Sequence, residues 1–160
     1  MQPNMKKVAK NMVIISAFLI VMFIIICIIS QYVHISEIEK TTYKFKEKIL
    51  LQNDVIELSE LTPFEWDKVY FFDAYLEKDT IYEILGFKWN GIKRSLNDNE
   101  NQVLFVKDNK VVCYSFGYKD EYYVYCDFED GEFYKIFYLK DKPIFEIIQK
   151  NPYVAVVYEE

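Results

Sequence analysis

At 160 residues and 19.3 kDa the chain has room for one ordinary globular domain and an accessory segment, not for two full domains. Apolar residues make up 52% and aromatics 18%, with only 4 Gly and 4 Pro, which excludes a disordered or collagen-like chain. One His and 3 Cys leave zinc sites and His-based triads short of parts, and the net charge of −6 argues against a nucleic-acid partner.

Residues 1–11 form a short tail whose only charged side chains are Lys6, Lys7 and Lys10. Met12 to Ser30 holds no charged residue, and Gln31 to Val33 extend the uncharged run. About 20 helical residues cross a hydrocarbon core of roughly 30 Å, so residues 12–33 are predicted to be a transmembrane helix in contact with the lipid bilayer. Tyr32 and His34 fit its far interface. A cleaved signal peptide has a shorter apolar core followed by small residues, and this run ends Cys-Ile-Ile-Ser-Gln-Tyr instead. A lipoprotein signal built on Cys27 would want a small residue where Ile26 stands.

The basic residues on the two sides nearly tie, but Lys10 abuts the apolar run whereas Lys40 lies well beyond it. The positive-inside rule therefore predicts a cytoplasmic N-terminus and an extracytoplasmic C-terminal domain in the cell membrane. All 25 Asp and Glu follow residue 36, with 16 of the 19 Lys and Arg, so the tail carries +3 and the part beyond the run −9. An acidic domain is a poor partner for nucleic acid or for an anionic lipid surface.

Residues 34–54 read as a juxtamembrane helical stalk. Ile35, Ile38, Thr42, Phe45 and Ile49 recur at spacings of three and four, the stripe of one helix face. The stripe has two uses open to it: packing on the following domain, or a short coiled coil with a second chain.

From residue 55 to 160 the period changes and a small domain is predicted. Lys68–Phe72 reads as a strand. Thr80 and Glu83 form a capping-box pattern, with Gly86 as the stop of a short helix from Thr80 to Leu85. Gln102–Lys107 and Lys110–Phe116 flank Asp108-Asn109, a two-residue hairpin turn. Tyr122–Phe128 and Phe133–Leu139 read as further strands, Pro143–Lys150 as a helix with Pro in its first turn, and Tyr153–Tyr158 as a closing extended segment. The fold class is α+β: a transmembrane helix, then a small domain with an antiparallel sheet and one or two short helices.

Catalytic parts are scarce. His34 belongs to the membrane edge, so no Ser or Cys nucleophile of the domain has a His base, and the 4 Gly are too scattered for a phosphate loop. No catalytic, metal or cofactor residue is assigned, and the domain is expected not to be an enzyme. The alternative is a cell-wall glycan hydrolase whose carboxylates come from Glu65 and Asp67, with Asp73 nearby. Tyr122, Tyr123 and Tyr125 must place rings on both faces of one strand, which makes them a candidate aromatic binding surface. If Lys119 and Asp120 centre a hairpin, Cys113 faces Cys126; the pair then reads either as a disulfide suited to an exported domain or as two small apolar core residues.

Phe64-Glu65-Trp66-Asp67 before the apolar strand, and Phe105-Val106-Lys107-Asp108-Asn109-Lys110-Val111-Val112 later, give the stretch from Leu58 to Phe128 a resemblance. It resembles a loose group of small exported or lipoprotein-like proteins of low-GC bacteria with F-x-W-D and F-V-K-D-x-K-V-V motifs. The group has no assigned activity; the resemblance implies an exported location and a structural role for Phe64, Trp66 and Asp67. The expected function is a single-pass anchor displaying a non-catalytic interaction domain to a protein or peptide partner in the envelope. An immunity-type or envelope-complex protein would fit, and a structural subunit of a membrane complex is a further alternative.

Overall fold

The computed structural model describes residues 5–52, 55–97, 100–118, 123–124, 132–150 and 153–158. The chain divides into two compact units, Met1–Glu37 and Ile38–Glu160. Helix α1 runs over Met5–Leu50. In the first unit it is the one helix, among the described residues, long and apolar enough to cross a membrane. Every side chain from 10 to 33 is exposed.

The second unit contains the end of α1 and then β1 (Val55–Glu57), α2 (Leu58–Leu61), β2 (Lys68–Phe72), α3 (Lys78–Leu85), β3 (Glu100–Lys107), β4 (Lys110–Tyr118), β5 (Tyr123–Val124), β6 (Tyr134–Tyr138), β7 (Ile144–Lys150) and β8 (Tyr153–Tyr158). It is α+β, but the strands form two four-stranded sheets rather than one meander. Their orders are β1-β7-β8-β5 and β4-β3-β2-β6. All pairings are antiparallel except the short parallel one between β5 and β8.

Two expectations for single elements are corrected. Pro143–Lys150 is not a helix; Ile144–Lys150 is strand β7. Phe145 and Ile147 are buried and their neighbours are not, a period of two that suits one half-buried sheet face. Helix α3 begins two residues before Thr80, after Glu77, without a side-chain cap, so the Thr80–Glu83 capping box does not form. Its other end is as expected: Gly86 adopts φ +79° and donates its N–H to Tyr82 O at 2.9 Å. The Tyr122–Phe128 strand lies largely outside the described residues; Tyr123–Val124 is strand β5, which pairs with β8.

The β3–β4 hairpin turns on Asp108 (φ +48°) and Asn109 (φ +57°), the left-handed pair that a two-residue turn requires and that Asp and Asn tolerate. Its ladder slips between Phe105 and Val106. Alternation along the strands gives the second sheet two buried faces. One carries Val69, Phe71, Val103, Phe105, Cys113 and Phe137 against Phe145, Ile147 and Val156 of the first sheet. The other carries Tyr70, Phe72, Leu104 and Val106 under Ile81 and Leu85 of α3 and under Ile92.

Phenylalanine fills the gap between the sheets. Phe145 stacks on Phe71 at 5.8 Å and meets Phe137 edge-on at 5.6 Å, and Phe137 lies 4.5 Å from Tyr158. Such contacts add about 0.5–1.5 kcal/mol each beyond area burial. Much of the aromatic surplus is therefore core.

The end of α1 belongs to this core. Phe45 and Ile49 enter the inter-sheet cluster and Ile38 enters the cluster under α3. Ile35, the first residue of the predicted stripe, is exposed. Between the two anchoring points, Thr42 reaches the edge of β4. Its hydroxyl accepts the N–H of Tyr114 at 3.2 Å and lies 3.2 Å from the Tyr114 carbonyl and 2.8 Å from that of Ile38. A stripe seated in this way is spent within the domain, which is the first of the two uses the sequence left open.

Candidate functional site

The Phe64-Glu65-Trp66-Asp67 motif holds the domain together at the start of β2. Phe64 packs edge-on against Phe45 and Phe105, at 6.0 and 5.2 Å. Trp66 is fully buried, meets Phe105 at 5.5 Å and donates its indole N–H to Thr62 Oγ1 at 2.9 Å, which satisfies the polar atom that burial of Trp otherwise leaves bare.

Asp67 grips the β3–β4 turn. Oδ2 accepts the Asp108 N–H at 2.8 Å and Oδ1 accepts from Lys107 Nζ at 3.1 Å. Its own N–H donates to Val106 O, and its carbonyl accepts from Leu139 N. The Asp108 N–H, followed by the Lys107 ammonium, holds the Asp67 carboxyl below the usual carboxylate range. Asp67 in turn raises Lys107.

These contacts bear on the proposed carboxylate pair. Glu65 and Asp67 share Lys107, at 3.9 and 3.1 Å, but Glu65 is 89% exposed and Asp67 is kept ionised. A general acid needs the opposite environment, one that raises its pKa. Asp73 is turned back on its own backbone, accepting the Ala74 N–H at 2.8 Å.

Cys113 is a buried free thiol. Burial pushes its pKa up to about 12, and its sulfur lies 3.5 Å from Thr42 Oγ1. Cys126 lies outside the described residues. The hairpin that would set it opposite Cys113 is not formed among them: Cys113 faces Phe105 across β3–β4, and β5 joins the other sheet. Beside Cys113, Tyr114 donates its hydroxyl proton to Gln102 Oε1 at 2.7 Å and accepts the Lys93 N–H at 3.0 Å. Burial drives the Tyr114 pKa upward.

Tyr122 and Tyr125 lie outside the described residues, and Tyr123 is described only as a strand position. The exposed aromatic ridge among the described residues is elsewhere, on β6. Tyr134 is 43% and Tyr138 39% exposed, with Phe133 exposed beside them. Lys68 and Lys140 bring their ammonium groups within 5.8 and 5.4 Å of the Tyr138 ring. The signal for this ridge was the Tyr-x-Ile-x-Tyr alternation of residues 134–138, which puts three apolar side chains on one face of a strand. Among the described residues no group of three or more His, Cys, Asp and Glu is arranged to hold a metal ion.

No family model matches the chain, and neither a curated protein nor a solved structure does.

Proposed function

We propose that this chain is a single-pass membrane protein displaying a non-catalytic interaction domain at the cell envelope, with its N-terminus in the cytoplasm. The observation that carries this reading is the contrast between two units of one chain. Residues 12–33 expose a helix surface without a charged side chain, while residues 38–160 bury a core of their own. Some 20 exposed apolar residues are costly in water and stable in a bilayer. Lys6, Lys7 and Lys10 before the apolar run support the orientation.

An interaction role for the domain is supported by the exposed aromatics of β6 and by an acidic balance that disfavours nucleic acid. The partner is a protein or peptide of the envelope, in an immunity-type or envelope-complex setting. The glycan-hydrolase reading has less behind it, because Asp67 is committed to Lys107 and the Asp108 N–H.

The test is protease accessibility of a tag placed after Glu160, on cells stripped of their wall, with a cytoplasmic marker as control. Loss of the tag while the marker survives is the expected result. A tag that survives until lysis overturns the orientation and moves the partner into the cytosol. A tag released from membranes by alkaline carbonate overturns the anchor itself.

A further inference from the structure

We propose that β6 is a homodimerisation edge. Two copies of the chain pair antiparallel through β6 about a two-fold axis at Ile136, joining the two sheets that contain it into one continuous sheet.

The hydrogen bonds fix which backbone groups are available. Phe133 O accepts from Asp73 N, and Leu139 N donates to Asp67 O. With Phe71 opposite Lys135 and Val69 opposite Phe137, the odd-numbered residues of β6 therefore direct their N–H and C=O groups at β2. Those of Tyr134, Ile136 and Tyr138 point the other way, out of the sheet. Among the described residues β6 pairs with β2 alone. The opposite edge of the sheet is different, since Thr42 occupies the outward N–H and C=O of Tyr114 there.

The sequence of the edge selects a second copy as its occupant. Residues 132–140 read Glu-Phe-Tyr-Lys-Ile-Phe-Tyr-Leu-Lys. Folded back on Ile136, Tyr134 meets Tyr138 of the second copy and Lys135 meets Phe137. Beyond the ladder ends, Phe133 falls towards Leu139 and Glu132 towards Lys140. Aromatic meets aromatic, acid meets base, and no like charges face each other, the pairing that stabilises antiparallel strands. Glu132 also holds an ion pair with Lys135 of its own chain at 3.8 Å, which the pairing with Lys140 of the second copy would extend. A ladder of this length buries less than the roughly 1,000 Å² of a stable interface, so the dimer is weak between free molecules. Anchoring in one membrane, which rests on the reading above, raises the effective concentration into the range where a weak edge pairs.

The test uses the full chain in membranes, as two differently tagged forms, Tyr134→Cys and Tyr138→Cys, oxidised together. Cα atoms of hydrogen-bonded antiparallel partners lie about 5.5 Å apart, within reach of a disulfide. Mixed-tag dimers well above those of the wild-type chain, and above those formed by Tyr134→Cys alone, are expected. Adding Ile136→Pro to both forms removes an outward N–H, together with part of the Ile136 packing on the cluster under α3, and lowers the crosslink about tenfold or more. If Ile136→Pro unfolds the domain, Lys140→Glu replaces it: alone it lowers the crosslink, and Glu132→Lys in the same chain restores it. A Tyr134–Tyr138 crosslink no stronger than that of Tyr134 with itself overturns the proposal. So does a crosslink indifferent to a folded Ile136→Pro chain or to the charge pair. The tag-accessibility experiment is independent of either outcome, so failure of the dimer and failure of the anchor are separable.

Discussion

Asp67 joins three parts of the chain that are far apart in sequence: its backbone bonds reach Val106 and Leu139, and its carboxylate holds Lys107 and the Asp108 N–H with charge-assisted bonds whose strength depends on its ionisation. Its folded pKa is depressed by the Asp108 N–H and the Lys107 ammonium. A depressed carboxyl contributes stability above the unfolded value of about 3.9 and loses it as pH falls through the folded value. Lys107 has the opposite sign: its pKa is raised, so its share is present below about 10.4 and lost as pH climbs past the folded value. Asp67→Asn is expected to lower the thermal midpoint at pH 7, and the difference from wild type is expected to close as pH falls below about 4 and through the folded value. A gap that does not narrow on acidification would mean that packing rather than charge is what Asp67 supplies. Thr42 shows the same economy with a neutral group. It is the one polar residue of the α1 stripe, and it meets the edge of β4 and the sulfur of Cys113.

Among the elements, the last turns of α1 matter most to the core. Phe45 is fully buried and touches Phe64 and Phe105 at once. Phe45→Ala is expected to cost about 3–5 kcal/mol in chemical unfolding, the usual range for emptying such a site. Tyr43 is 64% exposed on the same helix, and Tyr43→Ala is expected to stay within about 0.5 kcal/mol. Equal effects at the two positions would contradict the seating of this helix. The strands divide by how local their signals are. β2 was legible as a short β-branched and aromatic run, and the β3–β4 hairpin because its two apolar runs flank the Asp-Asn turn. β7 was misread because Pro at the head of an apolar run serves a helix start or a strand entry equally well, and only the antiparallel neighbours β1 and β8 decide between them.

At the scale of the whole molecule, the division between Glu37 and Ile38 predicts independence of the two units. Replacing residues 1–33 with an unrelated apolar anchor is expected to leave the unfolding transition of the domain unchanged. A shifted transition would show that the native span takes part in the fold. What the sequence by itself determined was the long apolar helix, the acidic domain beyond it and the α+β class, because each follows from composition or from a period read within one segment. Sheet membership, the seat of the α1 stripe and the exposed β6 ridge were decided only by tertiary structure. Each depends on which distant segment covers a given face, and the same alternation of apolar residues is satisfied by several such neighbours. The Tyr122, Tyr123 and Tyr125 surface illustrates the limit: a strand's pattern shows that rings lie on two faces, but not which of those faces another layer will bury.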